Sequence, residues 1–210
     1  MKKYAFIWDV DGTLLDSYEV ILSSICQTLE EREIPFQKDE VLKFILTYSV
    51  HKLLLNISGQ SGIPFDALKN RYSEVSEGRK DEIRAVNHAG DILRELDSQG
   101  IPNFIFTHRG ASAPFILEKL HLRSFFKEIV TSKDGFERKP NPSAIHYLIE
   151  KYNLDKEFTF YVGDRSIDTD CAQNACIKSI LYQPESSIGT ISGKETFVIR
   201  DLIEIRNVIV

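Results

Sequence analysis

The 210-residue sequence predicts an α/β fold: a parallel sheet with helices on both faces, interrupted near its amino end by an inserted helical segment. Three observations predict it. The apolar runs Tyr4-Ala5-Phe6-Ile7-Trp8, Phe104-Ile105-Phe106 and Phe158-Thr159-Phe160-Tyr161-Val162 have the length and continuity of strands buried on both faces. From about Ala89 onward such runs alternate with helix-periodic segments, the pattern of a parallel sheet. Between the first run and Ala89 the chain reads almost wholly as helix.

The helical stretch divides into Tyr18 to Arg32, Lys38 to Asn56 and Pro64 to about Arg79. Ile21, Leu22, Ile25 and Leu29 recur at helical spacing in the first, and Phe65, Leu68 and Tyr72 in the third. A small bundle inserted into an α/β chain follows, with hinges near Asp16-Ser17 and Gly78 to Glu82. The expected division is therefore 1–16 with 82–210 for the α/β core and 17–81 for the bundle. The core resumes with a helix from about Ala89 to Ser98, which Gly100 ends. Then come the strand around Phe104, a helix from Ala113 to Leu120, a short strand near Ile129-Val130 and a helix from about Ser143 to Tyr152. The strand ending at Val162, a helix from near Ser166 and a strand from Ile177 to Tyr182 complete the order.

Lys plus Arg number 26 and Asp plus Glu 31, a net charge of −5, and no basic stripe appears. This argues against a nucleic-acid or membrane-surface partner. Cys26, Cys171 and Cys176 are too few and too unevenly spread for a disulfide framework or a zinc site, and read as small apolar fillers in a reducing compartment. The amino-terminal run lacks the apolar length of a signal peptide and nothing reaches transmembrane length. A soluble cytoplasmic protein is expected; its oligomeric state is open and compatible with a monomer.

The chemistry-bearing residues follow strand ends. Asp9-Val10-Asp11-Gly12-Thr13-Leu14 continues the first strand, and a turn at Gly12 lets the two carboxylates converge on one point. Neighbouring carboxylates repel unless a cation intervenes. A divalent metal keeps Asp9 ionised as a nucleophile, while a protonated Asp11 can give its proton to a leaving alkoxide. An Asx-type turn after a strand accounts for the same residues without chemistry. Thr107-His108-Arg109-Gly110 puts a hydroxyl at a second strand end, where a helix N-terminus favours an anion. In Arg138-Lys139-Pro140-Asn141-Pro142 the prolines stiffen the chain around a lysine and open a helix. Gly163-Asp164-Arg165-Ser166-Ile167-Asp168 places Asp164 past a third strand end with Asp168 one turn on. Oxygen ligands from separate strand ends suit Mg²⁺, whereas Asp168 also fits a first-turn acid that favours the helix dipole.

In order, Asp9-x-Asp11-Gly12-Thr13, Thr107, Lys139-Pro140 and Gly163-Asp164-x-x-x-Asp168 resemble the four motifs of the haloacid dehalogenase superfamily of aspartate-nucleophile phosphohydrolases, most like its phosphoglycolate phosphatases. The resemblance spans Asp9 to the strand ending at Tyr182. It implies a Rossmann-like, doubly wound parallel-sheet core with the site at the carboxyl ends of the strands, and an inserted α-helical cap domain corresponding to 17–81.

By the same resemblance Asp9 is similar to the nucleophile that becomes an aspartyl-phosphate, and Asp11 to the general acid and base. Thr107 resembles the phosphate-binding hydroxyl and Lys139 the lysine that steadies nucleophile and phosphoryl charge, with Asp11, Gly12 and His108 beside the phosphate. Asp164 resembles the acidic Mg²⁺ ligand, joined by a carboxylate oxygen of Asp9 and the backbone carbonyl of Asp11, with Asp168 in support. The dehalogenases of the superfamily lack an acid at the position of Asp11, so its presence implies phosphate esters. His108-Arg109 stands where Asn commonly follows the second motif's hydroxyl, and Arg165 where the fourth commonly has Ser or Thr. These departures bear on the finer substrate contacts.

The expected reaction is Mg²⁺-dependent hydrolysis of a small phosphorylated metabolite, with a cap that opens and closes. The break Thr47-Tyr48-Ser49-Val50-His51-Lys52 makes Tyr48, Ser49, His51 and Lys52 candidates for substrate choice, although packing of Tyr48 and solvation of His51 and Lys52 explain them equally well. A phosphomutase of the same superfamily would use the same motifs and pass the phosphoryl group to a sugar. A phosphorylation-dependent receiver module also joins acids, Thr and Lys around magnesium, but is shorter and lacks an inserted cap. A silent binding protein that keeps the fold is a third alternative.

Overall fold

The computed structural model describes residues 3–185 and 191–209. In chain order its elements are β1 (Ala5–Trp8), β2 (Leu15–Asp16), α1 (Tyr18–Glu30), α2 (Lys38–Thr47), α3 (Val50–Ser61), α4 (Phe65–Gly78) and β3 (Arg84–Ala85). There follow α5 (Ala89–Ser98), β4 (Asn103–Phe106), α6 (Ser112–Lys119), β5 (Phe126–Val130) and α7 (Ser143–Tyr152). The last are β6 (Thr159–Gly163), α8 (Ser166–Asn174), β7 (Lys178–Tyr182), β8 (Phe197–Ile199) and a 3₁₀ turn over Leu202–Asn207. The chain forms two compact units, one of Met1–Asp16 with Arg84–Val210 and one of Ser17–Ile83.

The first unit holds a six-stranded sheet in the order β5-β4-β1-β6-β7-β8, every neighbouring pair parallel. From β1 the chain moves outward to β4 and β5, then crosses back over β1 to β6, β7 and β8. That reversal opens a crevice at the carboxyl ends of the central strands, where doubly wound sheets bind ligands. β1 is buried on both faces, as a parallel strand covered by helices must be. Trp8 keeps its indole N–H satisfied by donating to Asn103 Oδ1 at 2.9 Å. Ile7, Phe104, Phe106 and Tyr161 pack with Ala144, Ile145 and Leu148 of α7 and Cys171 and Ala172 of α8. All three cysteines are free; Cys26 and Cys171 are buried and Cys176 is exposed.

The second unit is a four-helix cluster around Ile21, Leu22, Ile25, Leu29, Val41, Ile45, Leu53, Leu54, Ile57 and Leu68. The apolar spacing of α1 turns these residues to one face. Ser49 opens α3 by accepting the Lys52 N–H at 3.1 Å, so the chain breaks at Tyr48 and Ser49, within the expected break from Thr47 to Lys52, and α3 runs past Asn56 to Ser61. No helix among the described residues is long and apolar enough to cross a membrane.

The structure extends the sequence reading at the sheet edges. β5 runs for five residues where only Ile129-Val130 looked like strand, because Lys127 is exposed and Glu128 half-buried at this edge and the apolar run is broken. β8 has the same cause: Phe197 and Val198 are exposed, so no buried run marks it. The two-residue ribbon of β2 and β3, paired antiparallel through Leu15 with Ala85 and Asp16 with Arg84, is too short to show a period.

Candidate active site

Three adjacent strands deliver polar groups at their carboxyl ends. The Asp9 N–H still donates to Val162 O at 2.8 Å, so the sheet ladder carries the residue after β1 into place. Gly12, at φ 77°, then turns the chain back, its own N–H donating to Leu15 O at 2.8 Å. Thr107 follows β4, its N–H donating to Val130 O at 2.9 Å. Gly163 ends β6 and Asp164 follows it.

Lys139 enters from the loop ahead of α7, its side chain wholly buried. Its ammonium donates to Asp168 Oδ1 at 2.6 Å and Tyr161 Oη at 3.0 Å, and pairs with Asp9 Oδ1 at 2.9 Å. An ammonium has three N–H donors, and these three acceptors match them. Tyr161 in turn donates its hydroxyl to Phe106 O at 2.6 Å, so the lysine is tied to β4 through β6. Asp168 is used on both oxygens, since Oδ2 accepts the Arg165 N–H at 3.1 Å at the start of α8. Its place depends on Gly163, where a Cβ would stand 2.4 Å from the Asp168 side chain.

The third carboxylate, Asp164, accepts from the Thr13 hydroxyl at 3.2 Å. One oxygen from each of Asp9, Asp164 and Asp168 lies within 4.8 Å of the others, all three residues buried. Asp9 Oδ2 is buried and has no hydrogen-bond partner among the described residues. Burial pushes the Asp9 carboxyl up, against the lowering by Lys139 and with the Asp168 carboxylate adding to the rise. Burial presses Lys139 down, but Asp168 and Asp9 outweigh it and hold the ammonium above its ordinary value. The two rises have different leading causes, burial for Asp9 and the neighbouring carboxylates for Lys139, and three buried carboxylates stand around one buried ammonium. An oxygen-only donor set with an orphaned carboxylate oxygen and a charge deficit fits a hard divalent cation.

Asp11 is engaged elsewhere. Arg109 Nε donates to its two carboxylate oxygens at 2.9 and 3.1 Å, and Nη2 to Oδ1 at 2.5 Å. The Arg109 N–H donates to Thr107 Oγ1 at 3.1 Å, which leaves the threonine's own proton to point away from that bond. His108 Nε2 accepts the Lys139 N–H at 2.7 Å, so this ring nitrogen braces the lysine's main chain. In the helical unit Tyr48 is 45 % exposed, meets the Phe44 ring at a tilt with centroids 4.8 Å apart and lies under Lys52 Nζ at 4.2 Å; His51 meets the Phe65 ring edge-on at 5.0 Å.

The structure thus brings Asp9, Lys139, Asp164 and Asp168 into one pocket, with Thr107 and Asp11 linked through Arg109. Tyr161 was not legible as a site residue, since its only signal is a phenol inside an apolar run, and Thr13, though part of the first motif, carried no assigned role. The Arg109–Asp11 pair spans 98 positions and leaves no local signal.

A parallel sheet with an acidic, lysine-bridged cluster at its switch point is an α/β architecture of the kind that binds ligands at that place. The chain belongs to the haloacid dehalogenase-like hydrolase family, whose model matches residues 6–182. Among curated relatives it is 26 % identical over 181 residues to pyrophosphatase PpaX of Oceanobacillus iheyensis, covering 85 % of this chain and 83 % of that one. It is 29 % identical over 190 residues to a phosphoglycolate phosphatase of Rhodobacter capsulatus, covering 85 % and 83 %. Among solved structures a hydrolase from Streptococcus pneumoniae TIGR4 is similar with a TM-score of 0.64 and 28 % identity, covering 100 % of this chain and 99 % of that one.

Proposed function

We propose that this protein is a divalent-metal-dependent phosphatase that hydrolyses a small phosphate monoester through a covalent aspartyl-phosphate on Asp9. One observation carries this reading: Asp9 presents a buried, unpartnered Oδ2 at the carboxyl end of the central strand while Lys139 holds its Oδ1. The Asp9 carboxylate is positioned by main-chain and side-chain contacts alike, as a nucleophile must be, with one oxygen free to face a cation and the other to attack. Asp9 Oδ2, Asp164 and the Asp11 main-chain carbonyl would hold the cation, Mg²⁺ in our reading, which would neutralise charge on the phosphoryl oxygens.

This chain's residues supply the rest. Asp9 forms the bond to phosphorus as the bond to the leaving oxygen breaks, and Asp11 hands that oxygen a proton. Asp11 then takes a proton from the water that hydrolyses the acyl phosphate, returning Asp9 to a carboxylate. Lys139 keeps Asp9 oriented and ionised, Asp168 and Tyr161 keep Lys139 in place, and Thr107 donates its hydroxyl to a phosphoryl oxygen. His108 acts through Lys139 by bracing its main chain. The inserted helical unit is the proposed cap, with Tyr48, Ser49, His51 and Lys52 the first residues to vary for substrate choice. The names of the relatives make phosphoglycolate and pyrophosphate the first substrates to try.

The test is phosphate release from a panel of phosphorylated metabolites with Mg²⁺ present, then chelated, then restored. Activity that disappears on chelation and returns with Mg²⁺ supports the reading. Release that is indifferent to chelation removes the metal role, and transfer to a sugar without release of phosphate makes the protein a mutase.

A further inference from the structure

We propose, resting on the phosphatase reading above, that Arg109 is the binding site for a second anionic group of the substrate, a carboxylate or further phosphate beside the transferred phosphoryl group. Asp11 fills this site until such a substrate arrives. The Arg109 side chain is only 8 % exposed and its fork closes on Asp11 through Nε and Nη2, with Nη1 3.5 Å from Ser112 Oγ. A guanidinium fork matches a planar carboxylate or two phosphate oxygens equally well, so an anion that replaces Asp11 meets the same donors. The residue is anchored two positions from Thr107 by its own N–H on Thr107 Oγ1, which sets the second anion next to the phosphoryl position.

The exchange also answers a geometric problem in the reaction. Both oxygens of Asp11 are occupied by Arg109, so Asp11 reaches a leaving oxygen only when the guanidinium moves off it. Moving it into a largely buried place with no partner is costly, whereas replacing one anion by another keeps it paired. The transferred phosphoryl group would be met by the Thr107 hydroxyl and by whatever cation Asp9 and Asp164 would hold. A substrate carrying a second anion therefore brings its own replacement for Asp11, and one without it does not.

Two readouts test this. In calorimetric titrations with Mg²⁺, wild type should bind phosphonoacetate at least about tenfold more tightly than ethylphosphonate, which lacks the carboxylate. Arg109→Gln should erase that preference, and Arg109→Lys should restore only part of it, since a point charge does not reproduce the fork. In turnover, the ratio of kcat/KM for phosphoglycolate to that for p-nitrophenyl phosphate should fall by about tenfold or more in Arg109→Gln. A preference unchanged in Arg109→Gln, or an equal loss on both compounds, overturns the proposal and leaves Arg109 as a support for Asp11. Should Arg109→Gln fail to fold, Asp11→Asn serves: with the competing charge gone it should bind phosphonoacetate more tightly than wild type, and no tightening overturns the proposal. If wild type hydrolyses neither ester, the phosphatase reading falls, while the titrations still report on Arg109.

Discussion

Both units carry ion pairs at the surface, but the α/β unit also buries a lysine among carboxylates. In that buried cluster Lys139, Asp9 and Asp168 lie together, the three donors of the ammonium all committed while Asp9 Oδ2 has no partner among the described residues. In the helical unit the ion pairs lie at the surface: Arg71 with Glu31 at 2.6 Å and with Glu74 at 3.0 Å, and Lys38 with Glu19 at 3.2 Å. Exposed pairs gain little because water and salt screen them. Buried charges have lost that solvation, and a missing partner leaves an uncompensated ion. The contrast teaches where function should be sought: an arrangement that costs desolvation and still leaves a buried carboxylate oxygen unpaired has a task beyond holding the fold.

The largest effect expected from breaking this contrast is on turnover. Asp9→Asn should lower phosphate release from p-nitrophenyl phosphate by at least about 10³-fold while the thermal midpoint stays close to wild type. A comparable rate in that variant removes Asp9 as nucleophile. Next comes Gly163→Ala, whose methyl would displace Asp168 from both Lys139 and the Arg165 N–H. It should cost about 2–4 kcal/mol in denaturant melts, with most of the activity lost. A melt like that of wild type would mean that the pocket relaxes freely.

Tyr161→Phe is a finer cut, removing one acceptor from Lys139 and one donor to Phe106 O. About 1–3 kcal/mol of stability should go, read by chemical denaturation, with a smaller fall in kcat than Asp9→Asn gives. At the other end stands Arg71→Ala, for which no resolvable shift in Tm is expected near neutral pH. Hydrogen bonds from Arg71 and Gln27 hold the Glu31 carboxyl down at about 2. Because the folded pKa is the lower one, any contribution of this pair is present above the ordinary glutamate range and is lost as pH falls toward about 2. A Tm difference between wild type and Arg71→Ala that is large at neutral pH and persists in high salt would contradict the screening argument.

How much was legible in the sequence follows the same division. Strands buried on both faces, such as Ala5–Trp8 and Thr159–Gly163, announce themselves as continuous apolar runs, and the parallel α/β class follows from their alternation with helices. Edge strands do not, since Phe197–Ile199 exposes two of its three residues. Polar residues that end strands, among them Asp9, Thr107 and Asp164, were visible because a buried run stops at each. Partnerships were not: whether Asp11 faces a metal, a proton acceptor or Arg109 depends on a residue 98 positions away. Tyr161 was hidden for the opposite reason, since its ring belongs to the core and only its hydroxyl belongs to the site.

The bond from the Asp9 amide to Val162 has a consequence for engineering. It makes the place of the Asp9 carboxylate a matter of strand alignment: slipping β1 by a single position would put Val10 where Asp9 now stands and turn Asp9 to the other face of the sheet. No repacking of neighbouring side chains restores that. Redesign of this scaffold toward new esters is therefore best confined to the segments between strands, because the six aligned backbones are the ruler against which the reaction is measured.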